Sequence, residues 1–179
     1  MDIALGGIFV LAGVLVGAGL TAVLDTWRQV LSGRAAARIV RLEIHDNINR
    51  CVQSVASRHP GIKLANEAWR DLRVQLAPLL PDEAVLDISI GYGALFIVED
   101  WISKIQQKYD EAKGQIHQWS ERMIIHVALL KQLENRSRLA QMADLLRGRP
   151  TFPPPRKGEK AAEEQLAEMK RKLFETMKR

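Results

Sequence analysis

Four histidines, a single cysteine and a short acidic cluster are the residues of this chain whose types could carry chemistry. A zinc site would need histidine and cysteine at the close spacings of a finger or of a helical pair. His45, His59, His117 and His126 are scattered and match none of these. Cys51 has no second cysteine to bridge to, so no intrachain disulfide forms, which fits a reducing compartment. A phosphate cradle needs a glycine loop followed by Lys-Ser/Thr, and a nucleophile elbow needs glycines around a serine; neither pattern occurs. Glu43, His45 and Asp46 are near in sequence, but a helix turns them to different directions. No catalytic, cofactor-binding or metal site is expected, and the protein is read as non-enzymatic. An enzyme would require a pocket made only by folding, lined by Glu43, His45 or Asp87.

The elements that would position any site are helical. The chain has 179 residues, 47% hydrophobic and 26% charged, ordinary values for a folded protein. Strand-like alternation is scarce. The expected fold is all-α: a single N-terminal transmembrane helix (1–25), a small helical bundle (26–149), a proline-rich linker (150–156) and a C-terminal amphipathic helix (157–179). About 120 residues for the bundle are enough for one core.

The anchor is the run Ile3 to Leu24, IALGGIFVLAGVLVGAGLTAVL, with no charge and no proline. Some 20 apolar helical residues at about 1.5 Å each match a bilayer core of roughly 30 Å. Gly17-Ala18-Gly19 could mimic a cleavage site, but only Met1 and Asp2 precede the run, so it lacks the basic start of a signal peptide and retention is expected. Trp27, Arg28, Arg34, Arg38 and Arg41 follow directly and are assigned to lipid-headgroup contact, with Arg34, Arg38 and Arg41 on one helix face. Their one-sided placement puts the domain in the cytoplasm and the N-terminus outside the plasma (inner) membrane. Gly13, Gly17 and Thr21 recur at spacing four, a small-residue face for packing against another membrane helix.

Behind the anchor, Ser32-Gly33 is expected to loosen the junction with a first cytoplasmic helix over about 34–57. Its apolar stripe is Val40, Ile44, Ile48, Cys51 and Val55, which makes Cys51 a core residue. Glu43, Asn47 and Arg50 flank that stripe as a polar rim. His59-Pro60-Gly61 breaks the helix. A short helix follows over about 65–77, with Asn66 as cap and Trp69, Leu72 and Leu76 inward. Pro81-Asp82-Glu83 has the composition of a helix start. The apolar stretch 84–98 is too short for a second span and is read as a buried core helix, kinked or closely approached near Gly91 and Gly93 and running on to about Lys113-Gly114. One long helix is expected from about Gln115 to Leu146, its far half packing on a partner or another copy.

In the tail, Pro150 to Pro155 is a stiff spacer by composition. Beyond it, Leu166, Met169, Leu173, Phe174 and Met177 give one apolar side to a helix too short to stand alone, and are assigned to partner binding.

The pattern Val40-Arg41-Leu42-Glu43-Ile44-His45-Asp46-Asn47, with Ala68-Trp69-Arg70-Asp71-Leu72-Arg73, Leu76-Ala77, Leu79-Leu80 and Tyr92 with Ala94-Leu95, resembles a group of uncharacterised bacterial proteins with one N-terminal membrane helix and a short helical domain. The likeness covers roughly the first two-thirds of the chain. It implies the anchor-plus-bundle architecture and brings no activity with it.

The expectation is a membrane-anchored helical adaptor or scaffold, contacting membrane lipid and a protein partner or another copy through its C-terminal helices. No nucleic acid is expected, since no broad basic surface with reader residues is visible. The alternative is a self-assembling, holin-like or pore-forming single-span protein.

Overall fold

A computed structural model describes the backbone of residues 2–148 and Arg171, and side chains from Ala12 onward. The described residues form helices α1 (Asp2–Ser57), α2 (Glu67–Leu76), a 3₁₀ turn (Ala77–Leu79), α3 (Asp82–Gly93), α4 (Leu95–Ser103), α5 (Tyr109–Asn135) and α6 (Arg138–Leu146). The all-α class and the bundle stand as expected. Among the described residues no helix is long and apolar enough to cross a membrane. The uncharged run expected to span reaches back to Ile3, ahead of the first described side chain. The linker and the C-terminal stripe from Leu166 to Met177 lie outside the described residues; Arg171 is helical and exposed.

α1 is one unbroken helix of 56 residues and the spine of the fold. The expected loosening at Ser32-Gly33 does not occur. Gly33 is instead a crossing point: a Cβ there would run into the Leu79 side chain and come within 3.0 Å of the Gln75 carbonyl oxygen. Glycine is what lets the end of α2 and the 3₁₀ turn lie directly on α1. The helix stops where Arg58 takes a left-handed φ of 52° ahead of His59-Pro60, since proline disfavours helix in the residue before it.

The stripe Val40, Ile44, Ile48, Cys51 and Val55 is buried as its period demands. It packs mainly against α5, which contributes Ile116, Trp119, Met123, Val127, Leu130 and Leu133. α2 closes a second side of α1 through Trp69 and Leu76.

Three boundaries differ from expectation. The helix after Gly93 ends at Ser103, and a new one starts at Tyr109 and runs through Gly114 to Asn135, its first turn carrying Asp110 and Glu111. α3 and α4 are not a buried helix. Ile88, Tyr92, Leu95 and Val98 face the core, while Leu86, Ile90, Phe96 and Ile97 are exposed. The long helix breaks at Arg136, whose backbone is extended, and α6 folds back on α1 and the 3₁₀ turn of its own chain. The far half of the expected long helix thus packs on its own chain. The break has a physical cause: the last carbonyls of α5 are taken by side chains. Arg34 donates to the carbonyls of Glu134 and Arg136, and Gln141 donates to that of Leu133 at 2.7 Å.

Candidate functional site

Two polar latches on α1 do most of the positioning. The first is the rim Glu43, Asn47 and Arg50, which grips the segment between α1 and α2. Asn47 is buried and binds Ala65 twice, accepting from its N–H at 2.8 Å and donating to its carbonyl at 2.7 Å. Arg50 donates to the Lys63 carbonyl at 3.0 Å, and Glu99 of α4 accepts from the Leu64 N–H at 2.7 Å. Asn66 occupies the cap position of α2, yet its side chain makes no capping bond. Glu43 does that work from α1, accepting the Ala68 N–H at 2.9 Å, a carboxylate where the helix dipole favours one. The Tyr92 hydroxyl leans on the same carboxylate. Burial first, then the nearby charge of Glu43, hold that phenol far above its ordinary range, and the buried hydroxyl has no hydrogen-bond partner among the described residues.

The second latch lies nearer the N-terminal end of α1. Arg34 reaches the α5–α6 turn as described, and Arg41 forms a bidentate pair with Glu134. Arg136 and Asp144 tie the turn to α6. The arginines assigned to lipid thus separate into two groups. Arg34 and Arg41 are half-buried and turned into the domain. Arg28 and Arg38 are exposed, Arg28 lying 3.7 Å from Asp25, and Trp27 is partly covered. In the small-residue face, Gly13 and Gly17 border open space, and the exposed Thr21 hydroxyl donates to the Gly17 carbonyl at 2.9 Å.

The residues that could carry chemistry are not brought together. Among the described residues no group of three His, Cys, Asp or Glu side chains could hold a metal ion. Cys51 is buried, and burial, with Glu99 adding, pushes its thiol up to about 12. A thiol held protonated at neutral pH is a poor nucleophile. His45 is exposed and bonded to Asn49 at 3.1 Å. Asp87 pairs with Arg122 at 2.7 Å. His126 is buried on α5; burial chiefly, helped by Arg122 and opposed by Asp87, holds its imidazole below the usual value.

Sequence reasoning missed an apolar surface. An open cleft of about 260 Å³ lies between α3, α4 and α5, lined among others by Ile90, Ile97, Trp101, Gln118, Trp119 and Arg122. Gly91 shapes its floor: a Cβ there would strike the Met123 sulfur, and the Gly91 carbonyl accepts the Trp119 indole N–H at 2.8 Å. Phe96, 70% exposed, and Leu86, 61% exposed, add to the apolar surface of α3 and α4. The signal was present, since a stretch apolar on all sides has more apolar surface than one packed face can cover. No family model matches the chain, and neither a curated protein nor a solved structure matches it.

Proposed function

We propose that this protein is a membrane-anchored, non-enzymatic helical scaffold, its bundle on the cytoplasmic side and its C-terminal segment engaging a protein partner. The observation that carries this reading is the division of α1. Residues 12–25 are exposed on every side although most are apolar, and from Val30 onward every turn has a buried residue up to Val55. An apolar helix surface without protein cover calls for an apolar solvent, and the uncharged sequence continues to Ile3. Because α1 is continuous, the anchor and the spine of the bundle are one rod. The exposed basic residues that follow the run, Arg28 and Arg38, favour the cytoplasmic orientation. Partner contact is assigned to Leu166, Met169, Leu173, Phe174 and Met177 from their spacing alone.

The test uses the full chain with a C-terminal tag in bacterial membranes. Expected are resistance to extraction by alkaline carbonate and a tag protected from external protease in intact cells. Release by carbonate would sink the anchor, and digestion of the tag would reverse the orientation. For the tail, a photo-crosslinker at Leu173 is expected to capture a protein that a chain ending at residue 149 fails to recover. Recovery of the same proteins by the shortened chain would overturn the tail's role.

A second reading, self-assembly within the membrane, draws on the open face at Gly13 and Gly17. It expects Gly17→Leu to abolish crosslinked oligomers in membranes, and unchanged oligomers would remove it.

A further inference from the structure

We propose that α6 is a second membrane contact: its outer face, Leu139, Ala143, Leu146 and Arg147, rests on the anionic headgroups beside the point where α1 leaves the bilayer. This rests on the anchor reading above and extends it to the domain.

The placement follows from the end of α5. Carbonyls at a helix C-terminus point out along the axis. Here those of Leu133 and Glu134 are met by Gln141 of α6 and by Arg34 of α1. α6 therefore lies across the end of α5 that faces the N-terminal part of α1, and Arg34 fixes its level along the spine. Gln141 is fully buried and Leu145 packs on the core, which defines the inner side of α6. At 100° per residue, Leu139, Ala143, Leu146 and Arg147 fall on the opposite side. Exposure agrees: Leu139 is 67% and Leu146 52% exposed.

Depth agrees as well. Val30 is the first buried residue of α1 among those described, six positions after Leu24. At 1.5 Å per residue the domain begins about 9 Å from the end of the apolar run, close to the headgroup layer of roughly 5–7 Å on each side of the core. Charge selects the lipid. The acids of this end are engaged, Glu134 with Arg41, Asp144 with Arg136 and Asp25 with Arg28. Arg38, Arg138 and Arg147 stay exposed. Two exposed leucines among exposed arginines are the composition of an interfacial helix on anionic lipid. Arg34, which reaches the α5–α6 turn, and Arg41, which binds Glu134 at the end of α5, are two of the four arginines that sequence alone assigns to the lipid.

Nitroxide labels provide the test, because Cys51 is buried and the native chain offers no competing thiol at its surface. Leu139→Cys, Leu146→Cys, Leu86→Cys and Leu15→Cys are each introduced into the full chain, which is placed in vesicles of phosphatidylethanolamine and phosphatidylglycerol. Nickel chelated to a lipid headgroup is expected to relax labels at 139 and 146 several-fold more than the label at 86. Replacing phosphatidylglycerol by phosphatidylcholine, or adding Arg147→Gln, is expected to reduce that difference. Equal relaxation at 139, 146 and 86 would overturn the proposal. The label at 15 separates the two readings. If it shows the oxygen accessibility of the bilayer interior while 139 and 146 behave like 86, the anchor stands and the α6 contact fails. If it lacks that accessibility, the anchor itself fails.

Discussion

The two halves of α1 share one helix and face different surroundings. Between Ala12 and Asp25 no residue is covered by the domain; between Val30 and Val55 one stripe is covered and the rest is polar or exposed. The second half solves its solvation problem with four partner helices, α2, α4, α5 and α6, and two arginine- and carboxylate-based latches. The first half has no polar side chain between Ala12 and Leu24 except Thr21, whose hydroxyl bonds back to its own helix. Secondary structure is therefore no guide to what either half does. What separates them is where apolar area is placed around the helix and whether protein covers it.

The largest expected effect tests that separation directly. Ile44, 1% exposed, sits in the covered stripe, and Leu20, 60% exposed, in the uncovered half. Ile44→Ala should cost about 2–5 kcal/mol of domain stability, as truncation in a packed core does. Leu20→Ala should leave the unfolding transition of the full chain in detergent where it is. A comparable loss from both would mean that the N-terminal half belongs to the folding unit after all.

Next is Gly33, the crossing point just below the uncovered half. Gly33→Ile places a branched side chain against Leu79 and the Gln75 carbonyl. Overpacking there should cost about 1–3 kcal/mol. It should also weaken the protection of α2 amides from hydrogen exchange more than that of α4. Uniform loss of protection across the bundle would show that the contact is not the local seam described here.

A smaller contrast lies within one helix start. Glu43→Ala leaves the Ala68 N–H without its partner and should cost about 1–2 kcal/mol. Asn66→Ala, at the nominal cap position, should cost nearly nothing, because Asn66 makes no capping bond. Urea titrations of the two variants decide it, and the reverse order would refute the long-range cap.

That pair shows where sequence was sufficient and where it was not. The stripe from Val40 to Val55, the break at Pro60 and the start at Pro81-Asp82 are local, and period or proline geometry fixes them. The rim Glu43, Asn47 and Arg50 was visible as polar residues beside a stripe, but its target segment lies 13–25 positions away along the chain. The end of α5 was invisible for the same reason. Nothing near Arg136 forbids helix, and the extended backbone there is held by Arg34, about 100 residues earlier in sequence on the spine. Arg34, Arg38 and Arg41 share a face in sequence; only the fold separates the two that bind the domain from the one left free of it. The cleft beside Gly91 needed three helices to be brought together.

The smallest effect is a pH dependence that belongs to the covered half of α1 and the bundle around it, not to the uncovered half. His126 is held below the ordinary imidazole value by burial, with Arg122 adding and Asp87 opposing. As pH falls through about 6.5, the unfolded chain takes up a proton that the folded chain resists. Stability therefore declines with acidification, and the decline levels off once pH passes below the folded value. The buried Nδ1 finds no partner in the fold, so an apolar residue of similar size removes a liability rather than a bond. His126→Leu should flatten the slope of melting temperature over this range without lowering stability at neutral pH. From Ile3 to Leu24 there is no titratable group, so resistance to carbonate extraction after a mildly acidic wash should be the same for both chains. An unchanged acid slope in His126→Leu would show that the sensitivity does not come from this imidazole.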